Sequence, residues 1–130
     1  MLLDTSGLFC FHHADEPGSE DAVALFEAKS RKVTHSYVLA ELIALSSARG
    51  VPRTKTRGFI RALLVHPQVE VVWVDAELNG AALDLLDARL DKDYSLCDAV
   101  SFILMKRRGL HEALTTDRHF EQEGLVRLLK

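Results

Sequence analysis

Cysteine, proline, glycine and tryptophan number only two, three, seven and one in the 130 residues, and each scarcity excludes something. Cys10 and Cys97 stand far apart, without Cys-x-x-Cys or Cys/His ligand spacing, so neither a disulfide framework nor a zinc finger is available. Proline and glycine are scattered as punctuation, so no linker divides the chain, and internal repeats are absent. No apolar run approaches the roughly 18 residues that span a bilayer. Met1-Leu2-Leu3 meets Asp4 before a signal-peptide core can form, so a cytoplasmic protein is expected. Positive charge is in short supply too: the net charge of −3 excludes a wholly basic nucleic-acid coat and leaves a polyanion only a local site. What remains, 48% apolar and 27% charged, is the composition of one ordinary soluble domain over residues 1–130.

Periodicity orders the elements. Leu2-Leu3 reads as a short strand closed by the turn formers Asp4-Thr5-Ser6-Gly7, with His12 and His13 in the following loop. Ser19 opens a helix whose first turn holds Glu20 and Asp21, and Val33-Thr34 is a small strand. Helices follow from Ser36 to about Arg49, stopped by Gly50-Val51-Pro52, and from Arg53 to Val65. Val69 to Val74 is β-branched and aromatic, the pattern of a strand at the centre of a sheet. Leu78, Ala82, Leu85 and Leu86, then Leu96, Val100, Ile103 and Leu104, recur at helical spacing. Glu112 to Thr115 and Val126 to Leu128 read as strands around a short helix at Arg118 to Glu123. Alternating strands and helices require a parallel sheet covered on both faces, so a three-layer α/β/α domain is expected.

Four acids are out of place. With histidine counted as neutral, Asp4 is the only charged residue in the first 14, Glu41 the only one between Lys32 and Arg49, and Asp98 the only one between Asp93 and Lys106. A carboxylate among apolar neighbours is disfavoured by several kcal/mol unless a cation or hydrogen-bond donors replace its water. Glu41 falls on a stripe with Tyr37, Leu45 and Ala48 that should be buried. Asp4 and Asp117 each follow a short strand, which in a parallel sheet places both at the carboxyl edge, where open α/β sheets gather ligands. Oxygen donors without cysteine or paired histidine suit Mg²⁺ or Mn²⁺. Structural roles compete: Asp98 three residues after Ser95 fits a capping box, Asp117 an N-cap, and Asp4 a turn.

With these positions marked, the chain resembles the PIN domains, above all the small single-domain ribonucleases of the VapC toxin type. The segments that carry the resemblance are Leu2-Leu3-Asp4-Thr5-Ser6-Gly7, Leu39-Ala40-Glu41-Leu42, Tyr94 to Phe102 around Asp98, and Ala113-Leu114-Thr115-Thr116-Asp117-Arg118-His119-Phe120. The resemblance implies a Rossmann-like α/β/α fold in which Asp4, Glu41, Asp98 and Asp117 bind one or two Mg²⁺ or Mn²⁺ ions. It also implies metal-dependent cleavage of single-stranded RNA to 5′-phosphate and 3′-hydroxyl ends, Ser6 and Thr115 as supporting hydroxyls, a cognate antitoxin and a homodimer. His119 departs from the pattern, standing where some relatives carry a further acid.

Between Glu41 and Glu70 there is no acid, while Arg49, Arg53, Lys55, Arg57 and Arg61 are all basic. Arg53, Arg57 and Arg61 step by four and make one helical ridge, which reads either as a surface for RNA phosphates or an acidic partner, or as a solvated face. The alternative to an enzyme is a PIN-like module that binds RNA or a partner without cutting.

Overall fold

In the computed structural model, which describes residues 1–130, five short parallel strands form one sheet in the order β3-β2-β1-β4-β5. They are β1 (Leu2–Leu3), β2 (Lys32–His35), β3 (Val69–Val72), β4 (Glu112–Leu114) and β5 (Val126–Arg127). The helices are α1 (Thr5–His12), α2 (Ser19–Ala28), α3 (Ser36–Ala48), α4 (Arg53–Leu64), α5 (Ala76–Asp87), α6 (Leu96–Arg108) and α7 (His119–Gln122).

The two-residue side-chain period of the strands divides the core into layers. Leu3 and Leu114 point with Leu8, Phe26, Leu42 and Leu63 toward α1 to α4. Leu2, Val33 and Ala113 point the other way, onto Phe102, Met105 and Phe120 of α6 and α7. The result is the expected three-layer α/β/α arrangement. No helix is long and apolar enough to cross a membrane.

The chain places β2 and β3 on one side of β1 and β4 and β5 on the other, so the direction of strand addition reverses between β1 and β4. In open parallel sheets ligands gather at the carboxyl ends of the strands that flank such a reversal. The register of β1 with β4 is tight: Leu2 pairs with Ala113 and Leu3 with Leu114.

Two expectations are corrected by the fold. Residues after Asp4 form a helix, not a loop, with His12 as its last residue and His13 as its C-cap. Burial of Leu8, Phe9 and Cys10 overrides the turn-forming habit of Thr-Ser-Gly. Gly7 is what permits the contact, because a Cβ there would lie 1.9 Å from the carbonyl oxygen of Leu114. The Val69–Val72 strand is an edge strand, paired only to β2, with all four residues half-buried. It ends before Trp73, which is 66% exposed. Its β-branched run therefore reflects strand propensity and one covered face, not burial on both sides.

Candidate metal centre

Asp4 ends β1 and opens α1 without capping it. Its side chain is turned instead toward β4, where the Thr115 hydroxyl donates to Asp4 Oδ2 at 2.7 Å. Thr115 Oγ1 accepts in turn from the backbone N–H of Asp117 at 3.0 Å and lies 3.1 Å from Ser6 Oγ. A hydroxyl carries one proton, so Ser6 must be the donor in that last pair, and Thr115 is then saturated with one donation and two acceptances. Ser6 Oγ also accepts from the N–H of Thr116 at 2.9 Å. The two hydroxyls thus pin the segment carrying Asp117 to the start of α1.

Asp98 is the third residue of α6, and both halves of the capping box are present. Asp98 N–H donates to Ser95 Oγ at 3.0 Å, and Ser95 N–H donates to Asp98 Oδ2 at 3.1 Å. The cap does not compete with a site; it aims the carboxylate. His119 Nδ1 lies 3.0 Å from Asp98 Oδ2 and 3.4 Å from Asp117 Oδ1. The N–H of His119 donates to Asp117 Oδ1 at 2.9 Å, so Asp117 forms a turn two residues on, and Arg118 takes the N-cap position expected of Asp117. These bonds use one oxygen of each carboxylate and leave Asp98 Oδ1 and Asp117 Oδ2 without a protein donor.

Asp4 and Asp98 are buried and Asp117 is half-buried. Burial raises the Asp4 pKa to about 7, against the hydrogen bonds from Thr115 and Thr5, and the charges of Asp98 and Glu41 add to the rise. Beside Asp98, the buried Cys97 thiol is pushed up by desolvation first and then by Glu41, Asp4 and Asp98. Glu41 therefore acts on the same small volume, but from the rim: it is exposed, contrary to the stripe expected for it. The buried face of α3 is Val38, Leu39, Leu42 and Ser46, one position away from the Tyr37-Glu41-Leu45-Ala48 row. A helix apolar almost all round left that choice of face open.

Donor atoms of Asp98, Asp117 and His119 all lie within 4.8 Å of one another, a spacing that fits a divalent cation. The histidine in this group was visible in the sequence only as a departure from a pattern; its position two residues after Asp117 is the signal that would have found it. The ridge Arg53, Arg57 and Arg61 is exposed on α4 and forms no ion pair, and none of the three hydrogen-bonds to an acid of the cluster. Arg53 and Arg57 line a groove with Ala40, Ile43 and Ala44 of α3. Lys106-Arg107-Arg108, by contrast, closes α6, with Arg107 paired to Glu77 and Arg108 to Glu70.

The family model of the PIN domain matches residues 1–124. The chain belongs to the PIN domain family. It is 28% identical over 127 residues to the 23S rRNA-specific endonuclease VapC20 of Mycobacterium tuberculosis, in strains CDC 1551 and H37Rv alike, covering 97% of this chain and 95% of the relative. A crystal structure of M. tuberculosis VapC20, described as a sarcin-ricin loop cleaving toxin, superposes with a TM-score of 0.88 at 27% identity. That similarity covers 99% of this PIN domain and 98% of the solved chain. The likeness thus extends over nearly the whole molecule, the carboxyl ends of β1 and β4 included.

Proposed function

We propose that this PIN domain is a toxin-type endoribonuclease that hydrolyses RNA phosphodiesters with the help of Mg²⁺ or Mn²⁺. One observation carries the reading: at the strand-order reversal, Asp98 and Asp117 present unpaired oxygens beside His119, while Thr115 ties Asp4 to the same cluster. A divalent ion held there supplies two things, a lowered pKa for the attacking water and neutralisation of charge developing on the phosphoryl oxygens. Asp98 and Asp117 hold the ion. Asp4, tied to that cluster through Thr115, would supply a further carboxylate to the ion once its raised carboxyl is ionised. Glu41, exposed at the rim, is placed to accept a proton from water entering from solvent. Ser6 and Thr115 keep Asp4 and Asp117 in register. Attack by water, not by the ribose 2′-hydroxyl, leaves 5′-phosphate and 3′-hydroxyl ends.

The unpaired ridge of Arg53, Arg57 and Arg61 is assigned to tracking substrate phosphates. A cognate antitoxin and a homodimer complete the reading, as for toxins of this type. The names of the relatives make a hairpin with the sarcin-ricin loop sequence the first substrate to try, beside an unstructured RNA. Incubated with either RNA, the protein should release 5′-phosphorylated fragments in Mg²⁺ or Mn²⁺ and none in EDTA. Equal cleavage in EDTA, or cyclic phosphate ends, contradicts the reading; RNA binding without cleavage in any metal returns the chain to a non-catalytic module.

A further inference from the structure

We propose that the cavity enclosed by α1, the start of α2 and residues Leu128 to Lys130 receives one base of the RNA, a guanine splayed out of the strand beside the scissile bond. Arg49 is the platform on which it stacks, and Asp21 reads its Watson–Crick edge. This rests on the nuclease reading above and names a base that the reading leaves open.

The cavity measures about 570 Å³, within the roughly 300–1,000 Å³ of small-ligand sites. Ser6 and Thr116 form its wall on the side of the acids, and Thr116 directly precedes Asp117. An RNA whose phosphate lies at Asp117 therefore has the mouth of the cavity one residue away. The other walls suit a flat ring, since Leu45 and Leu128, both half-buried, line it beside Phe9. The guanidinium carbon of Arg49 lies over the Phe9 ring, 5.0 Å from its centroid, and Nη2 of Arg49 is held by the Glu16 carboxylate. Among the basic residues from Arg49 to Arg61 it alone has an ion-pair partner. Fixed on Phe9 and on Glu16, the Arg49 side chain is still 52% exposed. Splayed RNA bases stack on guanidinium planes as they do on aromatic rings, and a plane already held in place loses less freedom on binding.

The charges select a base over a phosphate, and guanine among the bases. Glu16 is neutralised by Arg49, and Lys130 on the rim is paired with Glu121 at 3.7 Å. Asp21, in the first turn of α2, lines the same cavity and has no ion-pair partner. A free carboxylate repels phosphate but accepts N–H groups. Guanine turns two adjacent donors outward, N1–H and N2–H, which match the two oxygens of one carboxylate. Adenine and cytosine present a ring acceptor beside their amino group, and uracil a single N–H between two carbonyl oxygens.

In the competing account Arg49 and Glu16 only staple the loop after α1 to the end of α3, and the cavity holds water. Two measurements on the full chain separate the accounts. The first titrates the 5′-monophosphates of guanosine, adenosine, cytidine and uridine into the ¹⁵N-labelled protein in EDTA and follows amide shifts by NMR; the phosphate is common to all four, so differences report the base. Guanosine monophosphate should bind at least about fivefold more tightly than the others and move the amides of Asp21 and Arg49. Asp21→Asn should abolish that preference, and Arg49→Lys, which keeps the charge toward Glu16 but lacks the plane, should weaken binding about tenfold. Melting curves in EDTA show that both variants fold. The second measurement sequences the ends of a random RNA pool cut in Mn²⁺: the wild type should show guanine enriched at one position beside the cut, with the enrichment falling about tenfold in Asp21→Asn. Equal binding of the four nucleotides, shifts confined to residues outside the cavity, or a base preference unchanged in Asp21→Asn overturns the inference and leaves metal-dependent cleavage standing. Guanosine monophosphate bound in the cavity of a protein that cuts no RNA in any metal supports the base site and overturns the nuclease reading instead.

Discussion

The Thr115 hydroxyl reaches across 111 positions of sequence to donate to Asp4 Oδ2 at 2.7 Å, and it accepts from the N–H of Asp117 while doing so. One side-chain oxygen thereby sets the spacing between acids delivered by two neighbouring strands. Thr115 is fully buried, so removing its hydroxyl leaves Asp4 without that donor and the Asp117 N–H without its acceptor. Thr115→Val should lower stability by about 1–3 kcal/mol and lower RNA cleavage by more than the loss of folded protein explains. Thr115→Ser should restore most of both. Thermal melts paired with cleavage rates check this, and a Val variant with wild-type cleavage would reduce the hydroxyl to packing.

The raised carboxyl of Asp4 gives the metal-free protein a pH dependence of known sign. Its folded value of about 7 stands above the 3.8 of an ordinary aspartate. Between those values the folded chain binds a proton that the unfolded chain has released, so stability falls as pH rises from about 4 to about 7 and then levels off. In EDTA, the melting temperature of the wild type should therefore decline across that window more steeply than that of Asp4→Asn. Saturating divalent metal should flatten the wild-type decline, since a bound cation favours the carboxylate. Parallel pH profiles for the two proteins in EDTA would remove Asp4 from the account.

Gly7 joins the site to the fold. Any side chain there meets the backbone of Leu114 in β4, which the register Leu3 with Leu114 holds in place. Gly7→Ala should lower the melting temperature sharply or prevent soluble expression, through displacement of α1 from the sheet. A variant that melts within a degree or two of wild type would show that α1 is free to shift.

How much of this was legible in the sequence depended on which force decided each element. The three-layer fold followed from alternating periodicities, and the placing of Asp4 and Asp117 at the carboxyl edge of the sheet from their position directly after strands; that their strands are neighbours did not. Glu41 was put on a buried stripe because α3 is apolar on nearly every side, and only tertiary contacts select Val38, Leu39 and Leu42 as the inner face. Trp73 and the valines before it have the composition of a central strand, but strand order is set by chain crossovers that composition does not record. The helix after Asp4 was hidden for a similar reason: Thr-Ser-Gly favours a turn locally, and the glycine serves contact with β4 instead. His119 was missed as a participant because carboxylates alone were sought.

The arginine ridge offers an independent check on the substrate. If Arg57 tracks phosphates, Arg57→Glu should weaken RNA binding several-fold at low salt and much less at high salt, because the contribution is counterion release. The acids are untouched, so metal binding should not change. Fluorescence anisotropy with labelled RNA over a salt series measures the slope, and an unchanged slope leaves the ridge a solvated face.

Most directly of all, Asp98→Asn tests whether the cluster performs the reaction. The amide retains an oxygen to accept the Ser95 N–H and so keeps the cap, and stability should change by no more than about 1 kcal/mol. What it removes is charge beside His119 and Asp117. Cleavage of single-stranded or hairpin RNA in Mn²⁺ should fall by at least about a hundredfold while the melting curve in EDTA stays near that of wild type. A folded Asp98→Asn protein that still cleaves at the wild-type rate would contradict the account, leaving Asp98 with the capping role alone.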